Sequence, residues 1–377
     1  MPDIDSTLQV RSTATSEGRI EVTLSRVPVP RPGDDEVVVR IDATPINPSD
    51  LNLLLGGVDP AKLEGSGSGE DARLFGELSS GAARAAAARA GKALPVGNEG
   101  AGVVVAAGGS PDAQALIGKA VAVVGGGMYS QHRTLKAKEV APLPDGVTPA
   151  DAGSSFVNPM TVLGMVETMR ADGHTGLVHT AAASNVGQML VKLCLEERVP
   201  LVNIVRSQAQ ADILRGLGAE HVCDSSSQGF GQDLVEALTA TGSTTLFDAI
   251  GGGRLVSQVL GAMETASLKR GAPVTAYGTA TMKQAYIYGG LDTGATEIVR
   301  SFGMFWRVGG WFVGAFAQQI GMERAMELRR RIFSELHGVF ASNFTREISL
   351  TELLDPEIAR AYAQRATGGK YLLNPNR

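Results

Sequence analysis

Residues 181–187, Ala-Ala-Ala-Ser-Asn-Val-Gly, follow the apolar run Leu177-Val178-His179 and open a helix whose apolar face is marked by Val186, Met189, Leu190, Leu193 and Cys194. A strand, a small-residue turn and a helix in that order set backbone amides and the positive end of a helix dipole where a dinucleotide pyrophosphate binds. A strict fingerprint has glycine at the places held here by Ala182, Ser184 and Gly187, all still small enough for close backbone approach. An ordinary strand-to-helix turn would use the same small residues, so spacing alone leaves both readings open. The next apolar run, Leu201-Val202-Asn203-Ile204-Val205, ends in Arg206-Ser207 and not in the acidic residue that would bind a ribose diol. A guanidinium beside a hydroxyl suits a 2′-phosphate, which selects NADPH over NADH.

These residues need a frame. The chain has 377 residues, which at roughly 150 per domain suggests two domains. With 44% hydrophobic and 19% charged residues it can bury a full core. A net charge of −5 gives no basic stripe for a nucleic acid. Two cysteines, Cys194 and Cys223, exclude a disulfide framework and a four-cysteine zinc site. The five histidines, at 132, 174, 179, 221 and 337, show no paired metal spacing, and His179 inside a strand is expected to be a buried, satisfied residue. The start Met1-Pro2-Asp3-Ile4-Asp5 is acidic and not a secretory signal, and no apolar stretch reaches the ~20 residues of a membrane span, so a cytoplasmic protein is expected.

The first third reads as short strands, Ile20–Leu24, Glu36–Ile41, Ala101–Ala106 and Ala120–Val124, separated by proline and glycine. Residues 59–94 read as an insertion, a glycine-serine stretch followed by an alanine- and arginine-rich helix over Asp71–Ala90. From about residue 150 strands and helices alternate, with strands at Gly176–Thr180, Leu201–Val205, His221-Val222, Leu246–Ile250 and Pro273–Tyr277. That alternation implies an α/β fold with a parallel sheet.

Further runs carry a family likeness. Ile46-Asn47-Pro48-Ser49-Asp50-Leu51-Asn52, Val96-Gly97-Asn98-Glu99-Gly100, Val157-Asn158-Pro159-Met160-Thr161 and Gly368-Gly369-Lys370 stand in family order around the 181–187 turn. The chain resembles the zinc-free branch of the medium-chain dehydrogenase/reductase superfamily, of the NADPH:quinone oxidoreductase (zeta-crystallin) type, with similarity to 2-enoyl thioester reductases. The resemblance implies a GroES-like β-barrel catalytic domain from 1–149 and 321–377, a Rossmann NADPH-binding domain at 150–320, and an active site in the cleft between them. At the places of zinc ligands in alcohol dehydrogenases stand Asn47 and Asn98, and carboxamides are poor zinc ligands. Hydride transfer to a quinone or a similar electron-poor conjugated carbonyl is then expected.

The resemblance also implies roles. Asn47 and Asp50 shape the nicotinamide pocket, Thr161 lies against the nicotinamide ring, and Tyr129 is the candidate proton donor. Ala182, Ala183, Ser184, Asn185, Val186, Gly187, Arg206, Ser207, Tyr277, Gly278 and Lys370 bind cofactor. Enoyl thioester reductases carry a tyrosine donor just past the first loop, where this chain has Val58. Enoyl thioester reduction is the alternative activity, and a non-catalytic NADPH-binding protein the alternative of another class. The apolar segment Phe305–Val313 is expected to end the Rossmann sheet and to pair across a homodimer axis. The 59–94 insertion is expected either to wall the substrate site or to decorate the surface, and Arg329, Arg330 and Arg331 to form a solvated face.

Overall fold

The computed structural model describes residues 4–364 and 367–377; Met1, Pro2 and Asp3 of the acidic start lie outside them. The chain divides into two compact units, residues up to Val157 together with Phe333–Arg377, and Asn158–Ile332.

The first unit is built on two sheets. The smaller one runs, in spatial order, Glu64–Ser66, Arg73–Glu77, Arg19–Pro28, Ser6–Ala14 and Leu94–Pro95. Along Arg19–Pro28 the residues Ile20, Val22 and Leu24 are buried while Glu21, Thr23 and Ser25 are not, the period-two pattern of a strand with one face on a core. The helix expected over Asp71–Ala90 is not formed as such. Arg73–Glu77 is a strand, paired through Val22↔Leu74 and Ile20↔Gly76, and a short helix follows only at Ser80–Ala86, capped by the Ser79 hydroxyl. Backbone pairing on the open edge of Arg19–Pro28 and burial of Leu74 outweigh helix propensity there. The insertion is therefore part of a sheet and not a loose appendage.

The larger sheet runs Val140–Pro142, Ala120–Val124, Glu99–Ala107, Glu36–Pro45, Tyr371–Leu373 and Arg346–Ile348, with His132–Lys136 also on Glu36–Pro45. Leu373 and Leu372 pair with Thr44 and Pro45, so the C-terminal segment lies beside the strand that leads into Ile46 and Asn47. Ile348 and Leu373 of this sheet share one apolar cluster with Val10, Ile20 and Val22 of the other.

The second unit is organised by a six-stranded sheet, all parallel. Its spatial order is His221–Asp224, Leu201–Val205, Leu177–His179, Thr245–Asp248, Lys283–Ile287 and Trp306–Gly310. This is the order of a doubly wound dinucleotide-binding sheet, with the helix Asn185–Glu196 following Leu177–His179. The strand expected at Pro273–Tyr277 is not in it. Val274 and Tyr277 are 66% and 72% exposed in a two-residue hairpin with Gly278–Thr279, and Lys283–Ile287 holds the place instead. A fully buried lysine anchors that strand's start: Lys283 Nζ donates to Glu264 Oε2 (2.5 Å) and Thr279 Oγ1 (3.2 Å). Among the described residues no helix is long and apolar enough to cross a membrane.

Candidate active site

The loop after Glu36–Pro45 turns into the helix Pro48–Leu54, and Pro48 at its first position suits a helix start. Asp50 closes the turn: its Oδ2 accepts from the Asn47 amide (2.9 Å) and its Oδ1 from the Asn98 amide (2.9 Å), which ties this loop to the one at 96–100. Asn47, Asp50, Glu99 and Tyr129 are all at most 2% exposed. Glu99 Oε1 accepts from Asn47 Nδ2 (2.7 Å), while Oε2 accepts from the amides of Phe156 (2.8 Å) and Val157 (2.9 Å). The other end of the Asn47 carboxamide, Oδ1, is buried with no hydrogen-bond partner. A buried acceptor left without a donor costs about 1–3 kcal/mol, so it is an invitation to a ligand that brings one.

Burial dominates the electrostatics here. It pushes the Asp50 carboxyl up to about 7, against two backbone amides and the Tyr129 hydroxyl that favour the charged form; the nearby Glu99 charge adds to the rise. Burial also raises Glu99, opposed by Lys370 and by its three hydrogen-bond donors. Lys370 is half-buried, with Nζ turned onto Ser154 Oγ (2.6 Å) and Ser342 Oγ (3.3 Å), and desolvation lowers it to about 8 although Glu99 and Asp50 pull it up. Tyr129 is enclosed: Oη donates to the Pro45 carbonyl (3.1 Å), and burial with the Asp50 charge raises its pKa well above the phenolic range.

Val58, in the first loop's apolar continuation, is 5% exposed. A Cβ added at Gly76 on the neighbouring strand would stand 2.4 Å from Val58 Cγ1. The insertion's strand therefore packs directly onto this position.

In the second unit, the turn at 181–187 sits at the carboxyl end of Leu177–His179. Ala181 has φ +49°, and Ser184 caps the helix by accepting from the Gly187 amide. A Cβ at Gly187 would lie 2.0 Å from the Ala182 carbonyl oxygen, so only glycine lets the first turn of this helix lie against the turn that leads into it. Arg206 and Ser207 come just past the carboxyl end of Leu201–Val205. Arg206 is exposed, and Ser207 caps the helix Gln208–Gly216. Thr161 is buried in the helix Val157–Ala171, as are all its neighbours from Asn158 to Val166. Among the described residues no group of His, Cys, Asp and Glu comes together as metal ligands.

Asn47, Asp50, Tyr129 and Lys370 are thus gathered within the first unit, and Ala182–Gly187, Arg206 and Ser207 at the carboxyl edge of the second unit's sheet. Tyr277 and Gly278 are elsewhere. The Met304 amide bonds the Tyr277 carbonyl, and both segments precede the starts of parallel strands, at the amino edge of the sheet. Ligands of such sheets bind at the opposite, carboxyl edge. At that edge the fifth strand leads into Tyr288-Gly289-Gly290. Tyr288 Oη is 2.7 Å from His179 Nε2, and alongside Thr180 Oγ1 donates to Asp248 Oδ1 (2.7 Å). Burial lowers His179 to about 3, so its imidazole is neutral. Sequence reasoning missed Tyr288 and Glu99. The short apolar run Ala285-Tyr286-Ile287 before Gly289-Gly290 is a signal for the first; for the second, the only signal is a lone carboxylate beside Asn98.

No family model matches the chain. It is 26% identical over 239 residues to bovine (Bos taurus) prostaglandin reductase-3, covering 62% of this chain and 54% of that protein. It is 29% identical over 209 residues to the mitochondrial enoyl-[acyl-carrier-protein] reductase of Xenopus tropicalis, covering 53% and 51%. The chain spans about half the length of the curated relatives it matches. Among solved structures, Escherichia coli quinone oxidoreductase complexed with NADPH superposes with a TM-score of 0.69 at 18% identity, covering 98% of this chain and 100% of that one. In fold, therefore, the chain is similar to the medium-chain dehydrogenase/reductases, and both quinone oxidoreductases and enoyl reductases stand among its likenesses.

Proposed function

We propose that the chain is an NADPH-dependent oxidoreductase that passes hydride, without zinc, to a quinone or a similar electron-poor conjugated carbonyl. The observation that carries the acceptor class is Val58, buried under Gly76 where a proton-donating tyrosine would have to stand. The residues at the turn fit the cofactor. Ala182, Ala183, Ser184, Asn185, Val186 and Gly187 would hold its pyrophosphate on the helix N-terminus, and Arg206 with Ser207 its 2′-phosphate. Bound NADPH supplies the hydride. The loop residues do not fit zinc: Asn47 Nδ2 and Asn98 Nδ2 are donors, engaged with Glu99 and with Ser49 Oγ (3.2 Å).

The side chains of the first unit then orient and do not protonate. Asn47 Oδ1 offers an acceptor to a donor on the bound molecules. Tyr129 is enclosed with its hydroxyl against the Pro45 carbonyl and the Asp50 carboxyl, and burial raises its pKa well above the phenolic range, so it holds its proton. A quinone that receives hydride becomes a phenolate, which solvent protonates, so no fixed acid is needed. An enoyl thioester becomes an enolate that gains from one. A general acid is worth about 10²–10⁴-fold, so NADPH oxidation with a simple benzoquinone is expected to exceed that with a crotonyl thioester by roughly 10²-fold in kcat/KM. Faster turnover of the thioester would give the function to enoyl reduction. NADPH binding with no turnover of either would leave a non-catalytic protein.

The first unit reads as a GroES-like barrel and the second as a Rossmann domain. Buried free thiols at Cys194 and Cys223 fit a reducing, cytoplasmic setting. We also propose a homodimer through Trp306–Gly310, an outer strand flanked by Phe305 and Phe312, 48% and 69% exposed. Sedimentation is expected to give twice the 39.2 kDa chain mass. A monomer at micromolar concentration would remove the dimer.

A further inference from the structure

We propose that Glu99 is the positioning residue that decides which end of the Asn47 carboxamide faces a ligand: it holds Nδ2 and so leaves Oδ1 as the presented acceptor. The proposal rests on the functional reading above. A carboxamide is nearly symmetrical in shape and opposite in hydrogen-bonding at its two ends, so its neighbour selects the orientation. Glu99 is that neighbour, and both of its oxygens are committed. Oε2 takes the Phe156 and Val157 amides, which can only donate, and Oε1 takes Asn47 Nδ2. All three of its partners donate, so Glu99 is placed to accept at both ends, which a carboxamide cannot do. Lys370 supplies the compensating charge, and Asp50 fixes the loop backbone by accepting from the Asn47 amide.

The consequence is specific. In Glu99→Gln the side-chain oxygen must stay on the two backbone amides, which turns the new amide nitrogen toward Asn47. The Asn47 amide then rotates to meet it with Oδ1, and the presented end becomes a donor. Asn47→Asp by itself sets two carboxylates face to face. In the double variant the glutamine nitrogen introduced by Glu99→Gln donates to one oxygen of the new aspartate. The other oxygen is presented as an acceptor, with the pair's charge restored. A residue that only supports the fold has no reason to be rescued in this way.

Wild-type protein, Glu99→Gln, Asn47→Asp and the double variant are compared for kcat and KM with NADPH and benzoquinone, and for melting temperature. Each single variant is expected to lose roughly 10- to 100-fold in kcat/KM, and the double variant to recover most of that loss. Turnover of Glu99→Gln within about twofold of wild type, or a double variant no better than the better single, overturns the proposal. A second readout does not depend on turnover. In asparagine-selective ¹⁵N-labelled protein, the side-chain pair that disappears in Asn47→Asp is expected to be protected from exchange in wild type and unprotected in Glu99→Gln. Retained protection in Glu99→Gln overturns the proposal. Absence of wild-type turnover would defeat the functional reading alone, and the exchange data would still decide the amide's orientation.

Discussion

Val58→Tyr is expected to cost roughly 3 kcal/mol of stability and to bring no enoyl thioester reduction with it. The residue is one of an apolar cluster with Leu54, Leu55, Leu63 and Leu74, and the strand Arg73–Glu77 closes over it at Gly76. A phenol ring has to push that strand off Arg19–Pro28 or leave its own rotamer, and overpacking of this kind costs about 1–3 kcal/mol. Introducing a tyrosine there would thus fail for a steric reason, because the strand Arg73–Glu77 has taken the space the ring needs. Urea unfolding of the variant, with crotonyl thioester turnover measured alongside, tests both parts. A stable variant that gains thioester reduction would show that the position is roomier than its contacts indicate, and would move the function toward enoyl reduction.

Asp50 has the other large effect, and its signature is in pH. Its folded pKa of about 7 lies above the ordinary 3.8. A group raised on folding contributes stability that is fully present below its unfolded value and is lost as pH rises through its folded one. Between about pH 4 and 7 this carboxyl alone should lower stability by roughly 1.4 kcal/mol per pH unit, about 4 kcal/mol in all. Lys370, lowered to about 8, is charged in both states over that window and adds no slope. Glu99 is also raised and adds slope of the same sign, which remains after Asp50 is changed. Asp50→Asn leaves one of two backbone donors unmet, a cost common to every pH, so the difference in slope reads the Asp50 titration together with its coupling to Glu99. Unfolding free energies for both proteins at several pH values between about 4.5 and 6.5 are expected to converge toward the upper end. Parallel curves would mean that Asp50 titrates in the folded protein as it does in water.

The parts of this molecule that could be read from its residues are those written locally. The apolar periodicity of Asn185–Glu196 and the run Leu201–Val205 each contain their own reason for forming, and both are found where the residues indicate. Asp71–Ala90 could not be read in the same way, because the edge that recruits Leu74 and Gly76 belongs to a strand some fifty residues earlier. Pro273–Tyr277 has the composition of a strand, but it is Lys283–Ile287 that pairs with Thr245–Asp248, and its buried Lys283–Glu264 contact to a helix joins residues that spacing does not connect. At the site, the identity of Asn47 was visible and its orientation was not. Orientation is a property of Glu99 and of the two amides behind it, and nothing in the spacing of 47 and 99 records that contact.

The backbone around Ile46 is completed from far downstream, where its amide bonds the Tyr371 carbonyl and Pro45 pairs with Leu372. In time, this makes the asparagine loop a late product of synthesis. As the chain emerges from a ribosome, Glu36–Pro45 is made long before its neighbour, and closing so long a loop is among the slower steps of folding. Residues 158–332, with their own parallel sheet, come out complete in the interval. A nascent chain would therefore hold a finished cofactor-type sheet while the loop that carries Asn47 still lacks one of its walls.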